Sequence, residues 1–211
     1  MYSIDWPAFF SALKDLALAG AAVVTAWVAV RGLQKWREEL RGKTDFEIAR
    51  GLARAMYKLR DELAACRAPL IRSAEYPPDY NPPAPGQTKN HAAEANALAH
   101  VYNNRWKPVT DALREFDAQR LEAEALWGPA IRKEAEPLHR CATTVFVAIE
   151  SILDNARAGG THFEADREFG RRTRSQAHAS STATDNPLSN DIAAAVSAIE
   201  GTLSGHLKRP T

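Results

Sequence analysis

The chain has 211 residues, 45% hydrophobic and 25% charged, with a formal net charge of +1, the profile of a folded chain rather than a disordered one. The balance of 27 basic against 26 acidic side chains excludes the whole-chain basic excess of a dedicated nucleic-acid binder. Two cysteines exclude a disulfide scaffold.

These averages hide an asymmetry, because no charged residue lies between Asp15 and Arg31. The uncharged run Leu16–Val30 is fifteen residues, about 22 Å as a helix against a hydrocarbon core of roughly 30 Å. A span therefore needs its flanks. Taken from Leu13 to Leu33 the run reaches twenty-one residues, with Lys14 and Arg31 snorkelling to opposite headgroup layers. Trp6 and Trp36 then sit about 45 Å apart along the axis, where indole rings favour the two interfaces, and Phe9 and Phe10 thicken that belt. Asp5 before Trp6-Pro7 reads as the helix start.

Only Lys14 precedes the run, whereas Arg31, Lys35, Arg37, Arg41 and Lys43 follow it, so the charge bias puts the N-terminus outside and the body in the cytoplasm. A cleaved signal peptide would carry its basic cluster on the other side. The expected location is the inner (cytoplasmic) membrane as a single-pass protein. The expected membrane-interface residues are Trp6, Arg31, Lys35, Trp36 and Arg37. Ala17, Ala21, Thr25 and Ala29 recur every four residues and form a candidate self-association face, since small residues let backbones approach.

The spacing predicts a body of four amphipathic helices. Thr44-Asp45-Phe46-Glu47 has the form of a capping box after Gly42 and predicts a new helix, so an anchor over 1–42 is expected to give way to a body over 43–211. Phe46, Ala49, Ala53, Met56, Leu59, Leu63, Cys66 and Leu70 form its stripe. Five prolines between Pro77 and Pro85 stop it in a Pro-rich loop over 76–87.

The next helix is predicted from His91 to Leu126, with Leu98, Tyr102, Trp106, Val109, Leu113 and Phe116 inward and a kink at Pro108. Trp127-Gly128-Pro129 is a reversal, and the following helix returns antiparallel. Its stripe is Ile131, Ala135, Leu138, Ala142, Val145, Ile149, Ile152 and Ala156; the three-four spacing outweighs the β-branched content of Thr143–Ile149. Gly159-Gly160 stops it. A polar, flexible connector is expected over 161–188, with one short helix around Phe163 to Phe169. The last helix is expected from Asp191, capped by Ser189 or Asn190, with Ile192, Val196, Ile199, Leu203 and Leu207 inward. The fold class is thus all-α: an N-terminal transmembrane helix followed by an antiparallel four-helix-bundle-like cytoplasmic domain.

Candidate chemistry is thin. Gly42-Lys43-Thr44 mimics the end of a phosphate loop, but Arg37 stands where the first glycine is required and no strand precedes it. Ser11 and Lys14 have the spacing of an acyl-enzyme pair without its context. Glu136 and His139 form half of a di-metal carboxylate motif whose other half is missing. Cys66 and Cys141 fall on core stripes and read as buried thiols. Glu115, Asp117, Glu122 and Glu124 with Arg114 and Arg120 read as a solvated face, and Arg167, Arg171, Arg172 and Arg174 are the only basic cluster distant from the apolar run. No catalytic, cofactor or metal residue is assigned, and no cofactor is expected.

Several stretches together resemble a group of uncharacterised bacterial proteins. They are Gln34-Lys35-Trp36, Lys43 to Ala49, Arg105-Trp106-Lys107-Pro108-Val109, Leu121 to Gly128 and Asp191 to Glu200. Members look like single-pass, N-terminally anchored proteins with a helical cytoplasmic body, and the resemblance implies that architecture without a reaction. The functional expectation is a membrane-tethered interaction or scaffold protein whose partners are the lipid bilayer, a second copy and a further protein. The alternatives are a bundle enzyme with a metal site near Glu136 and His139, or a nucleic-acid- or nucleotide-responsive membrane effector using the Arg171 cluster.

Overall fold

The computed structural model describes residues 6–83, 90–179 and 185–207, with the side chains of 6–13, 15–17, 19, 22 and 38 outside the description. The described residues are helical without strands: α1 Trp6–Cys66, a 3-10 turn Ser73–Glu75, α2 His91–Trp127, α3 Ala130–Arg157, α4 Thr161–Ala165, α5 Arg167–Ala177 and α6 Pro187–Leu207. The chain divides into two units, Met1–Asp45 with Arg209–Thr211, and Phe46–Lys208.

In the first unit, the predicted break at Gly42 does not occur. Thr44 Oγ1 donates to Leu40 O at 3.0 Å instead of capping a new helix, and Lys43 pairs with Glu39 at 2.9 Å, one turn back. A glycine in a helix interior costs about 1 kcal/mol relative to alanine, too little to stop a helix whose neighbours Arg37 to Arg41 are strong helix formers. Among the described residues no helix is long and apolar enough to cross a membrane.

The second unit is an antiparallel four-helix bundle made from the latter part of α1, α2, α3 and α6. Pairs across α1 and α2 run in opposite senses: Lys58 bonds Glu115, and Arg105 Nη1 donates to Ala68 O beyond the end of α1. Tyr57 to Glu200 and Arg67 to Ser189 give the same sense against α6. Arg132 to Glu124 and the Trp106–Phe146 ring contact do so for α2 against α3. The shared core holds Leu52, Met56 and Leu59 of α1, Val109 and Phe116 of α2, Leu138 and Val145 of α3, and Ile199 and Leu203 of α6, all 0–1% exposed.

Element ends follow local chemistry. α1 stops at Cys66 because Pro69 disfavours helix at Ala68, so Leu70, predicted inward, is 72% exposed. Asn90 caps α2 by accepting from Ala93 N at 3.1 Å. The helix continues through Pro108. Gly128 at φ +85° makes the reversal, and Gly159 and Gly160 at +67° and +95° end α3, conformations that disfavour side chains.

The expected polar connector is mostly ordered structure. α4 and α5 fold back on α3, burying Phe163, Gly170, Thr173 and Ala177. Asp166 starts α5 by accepting from Phe169 N at 2.8 Å. α6 begins four residues earlier than predicted, because Asn186 Oδ1 accepts from Ser189 N at 3.0 Å and Pro187 suits the first helical position.

Candidate functional site

The helix of the first unit carries the sequence-predicted interface residues. Arg31, Lys35, Trp36 and Arg37 are exposed, with the Arg31 guanidinium 4.3 Å from the Trp27 ring centre. The side chains of Trp6 and Ala17 lie outside the description. Ala21, Thr25 and Ala29 are exposed. Thr25 Oγ1 already donates to Ala21 O at 2.8 Å, so its proton is used within its own helix. Leu18, Val23, Val24, Trp27, Val28, Val30, Leu33 and Trp36 are between 49% and 69% exposed.

In the bundle, the polar groups converge at the end where α1 and α3 finish and α2 and α6 begin. Arg67 is 3% exposed. Its Nε donates to Gln176 O at 2.9 Å, Nη1 to Ser189 Oγ at 3.1 Å, and Nη2 to Asn186 Oδ1 at 2.9 Å and Ser175 O at 3.3 Å. The last carbonyls of α5 carry the negative end of a helix dipole and so suit a guanidinium; burial lowers the Arg67 pKa from its usual value.

Arg105 does the same for the loop after α1. Its Nη1 and Nη2 donate to Ala68 O at 2.6 Å and Leu70 O at 2.7 Å, while Nε and Nη2 reach the Glu75 carboxylate. The Arg105 hydrogen bond is the main cause holding Glu75 well below the usual carboxylate range, at about 2.

Two of the cavities border α5. One, of about 690 Å³, lies among α3, α5 and α6 and is lined by Arg140 and Cys141, by Arg172, and by Asp191, Ala194 and Ala198. The other, about 310 Å³, is bounded by His91, Glu94 and Leu98 of α2, Ile152 and Asn155 of α3, Gly159 in the turn after it, Phe163 of α4, Arg174 of α5 and His178 beyond α5. Tyr102 Oη lies 3.2 Å from His178 Nε2; burial, then the fields of Arg105, Arg67 and Arg174, lowers the His178 pKa and so favours the neutral ring.

The sequence-predicted chemistry is dispersed. Glu136 is exposed, and His139 Nε2 lies 3.7 Å from Asp117 Oδ2 of α2. Among the described residues no group of three or more His, Cys, Asp or Glu side chains is placed to hold a metal ion. Cys66 and Cys141 are buried and unbridged, and burial raises both thiols, Cys66 to about 11.

The acidic residues of α2 bind across helices as well as along their own: Glu115 to Lys58 at 2.7 Å and Glu124 to Arg132 at 3.0 Å, beside Asp117 to Arg120 at 3.3 Å. Arg167, Arg171, Arg172 and Arg174 are all exposed on α5; Arg174 lines a cavity with Glu94 of α2, and Arg172 lines the other with Asp191 of α6. Sequence reasoning missed Arg67, Arg105, Glu94 and His178, because single polar residues beside stripes carry no pattern of their own. No family model, curated protein or solved structure matches the chain.

Proposed function

We propose that the protein is a membrane-tethered helical interaction or scaffold protein. The N-terminal part of α1 sits in the inner membrane, the N-terminus lies outside, and the body from Phe46 onward is cytoplasmic. The observation that carries this reading is the distribution of exposed apolar side chains on the helix. At 100° per residue, Leu18, Val23, Val24, Trp27, Val28, Val30, Leu33 and Trp36 fall on every side. A partner helix covers one stripe; lipid covers the whole circumference. The described apolar residues alone are too few for a span, and Leu16, Ala17, Ala19 and Ala22, which complete the run in the sequence, have side chains outside the description.

Lys14 and Arg31 bound the run, and the basic residues after it set the orientation. The resemblance to N-terminally anchored bacterial proteins points the same way. The small residues Ala21, Thr25 and Ala29 leave room for a second copy, so a homo-oligomer is part of the proposal. A further protein partner for the body completes the scaffold reading.

Fractionation with alkaline carbonate, combined with reporters fused after Thr211, tests the proposal. The chain should stay in the carbonate-resistant pellet, with a cytoplasm-dependent fluorescent reporter active and a periplasm-dependent phosphatase inactive. Release into the soluble fraction, or the opposite reporter pattern, overturns it.

A further inference from the structure

We propose that the cavity among the first turn of α2, the end of α3 and α5 binds a small zwitterion of the aliphatic α-amino acid class, its carboxylate on Arg174 and its ammonium on Glu94. The volume, about 310 Å³, stands at the lower end of ligand pockets, roughly 300–1,000 Å³, which restricts the occupant to a small molecule.

The lining divides by chemistry. Leu98, Ile152 and Phe163 give an apolar surface, while Glu94 and Arg174 bring opposite charges to the same space from different helices. Among the described residues neither is in an ion pair within 4.0 Å, with each other or with any other side chain. A lone anion on Arg174 would face the Glu94 carboxylate, and a lone cation on Glu94 would face the Arg174 guanidinium. A ligand carrying both charges satisfies both groups at once.

Neighbouring contacts hold the arrangement. Arg174 lies over the Phe163 ring, 5.2 Å from its centre, which fixes the guanidinium beside the apolar wall. Asn155 Oδ1 accepts from Phe163 N at 2.9 Å, so that oxygen is committed to starting α4. At Gly159 a Cβ would stand 3.1 Å from His91 Cδ2; glycine there lets the imidazole pack on bare backbone and form the opposite rim. The inference does not rest on the membrane reading.

Isothermal titration of the full detergent-purified chain with L-leucine tests this, using isocaproate as the analogue without the ammonium and isoamylamine as the analogue without the carboxylate. L-leucine should bind saturably, and each analogue roughly tenfold more weakly, as loss of one charge-assisted contact implies. Glu94→Gln and Arg174→Gln should each weaken L-leucine by a similar factor, while Arg174→Lys retains most of the binding. Should Arg174→Gln unfold, the two analogues on the unaltered chain decide the matter. The proposal is overturned if neither L-leucine nor L-valine binds saturably, if either analogue binds as tightly as L-leucine, or if a folded Glu94→Gln chain binds L-leucine unchanged.

Discussion

Arg105 and Glu75 form a two-point ion pair, Nε to Oε2 at 2.6 Å and Nη2 to Oε1 at 2.9 Å, and the same guanidinium binds the carbonyls of Ala68 and Leu70. One side chain of α2 thereby fixes the loop that leaves α1. Glu75 Oε1 adds a bond from Arg72 N at 2.8 Å, so the carboxylate closes the 3-10 turn while it holds the arginine.

This pair makes stability depend on acid. The folded pKa of Glu75, about 2, lies below the roughly 4.3 of an unfolded glutamate, so its stabilisation is complete above the unfolded value and is lost as pH falls through the folded one. Glu75→Gln should lower stability at pH 7 by about 1–2 kcal/mol, allowing for solvent screening of a partly exposed carboxylate. Thermal melts across pH 2–7 should show the difference between variant and wild type closing as the pH approaches 2. A difference independent of pH would refute the assignment.

Arg67 should be the most sensitive polar position in the body. Arg67→Ala leaves the carbonyls of Ser175 and Gln176 and the side chains of Asn186 and Ser189 without their shared donor, at roughly 3–5 kcal/mol. In a thermal melt of the detergent-purified chain that corresponds to a fall on the order of 10 °C. Arg67→Lys keeps the charge but not the fork and should fall between. Hydrogen exchange should rise first in α5 and at the start of α6.

The two cysteines should resist alkylation in the native chain. Cys66 is 1% and Cys141 6% exposed, and burial raises both thiols, so little thiolate is present at pH 8. Mass spectrometry after iodoacetamide should show no adduct on the native protein and two after denaturation; rapid native labelling of Cys66, which lines neither cavity, would mean that the α1–α3 core opens readily.

Gly170→Ala should loosen the α4–α5 hairpin from α3. A Cβ there would stand 2.8 Å from the Cβ and Cγ of Phe163, atoms too near the backbone to swing aside. The expected loss is about 1–3 kcal/mol by overpacking, and removing Cγ with Phe163→Ala in the same chain should make the two losses less than additive in a double-mutant cycle. Additive losses would place the strain elsewhere.

Replacing Ala21 and Thr25 together by Leu should reduce crosslinked oligomers in membranes without preventing insertion, because close backbone approach is what small residues permit. Since the Thr25 proton is bound to Ala21 O, Thr25→Ala alone should leave the ladder nearly unchanged. An identical ladder in the double leucine variant would show that the helix takes no part in association.

Local pattern was enough for α2 and α3. The stripes of α2 and α3, the reversal at Gly128 and the stop at Gly159-Gly160 are set by side-chain period and by φ angles that few residues but glycine adopt, and such signals lie within a few residues of one another. Gly42 and Thr44 misled because a capping box is also an ordinary helical sequence; whether the backbone breaks there depends on competing neighbours, and here the helix formers around it win. The polar stretch after Gly160 read as a connector because Phe163, Gly170, Thr173 and Ala177 form a narrow apolar edge, which becomes stable only against the surface of α3.

What the tertiary structure alone decided is the meeting of residues distant in the chain. Arg67 reaches Ser175 and Asn186, Arg105 reaches Glu75, and Glu94 shares a cavity with Arg174, over separations that no periodicity encodes. A lone arginine or glutamate beside an apolar stripe carries the same local signal whether it faces water or another helix, and only the packing of four helix ends distinguishes the two.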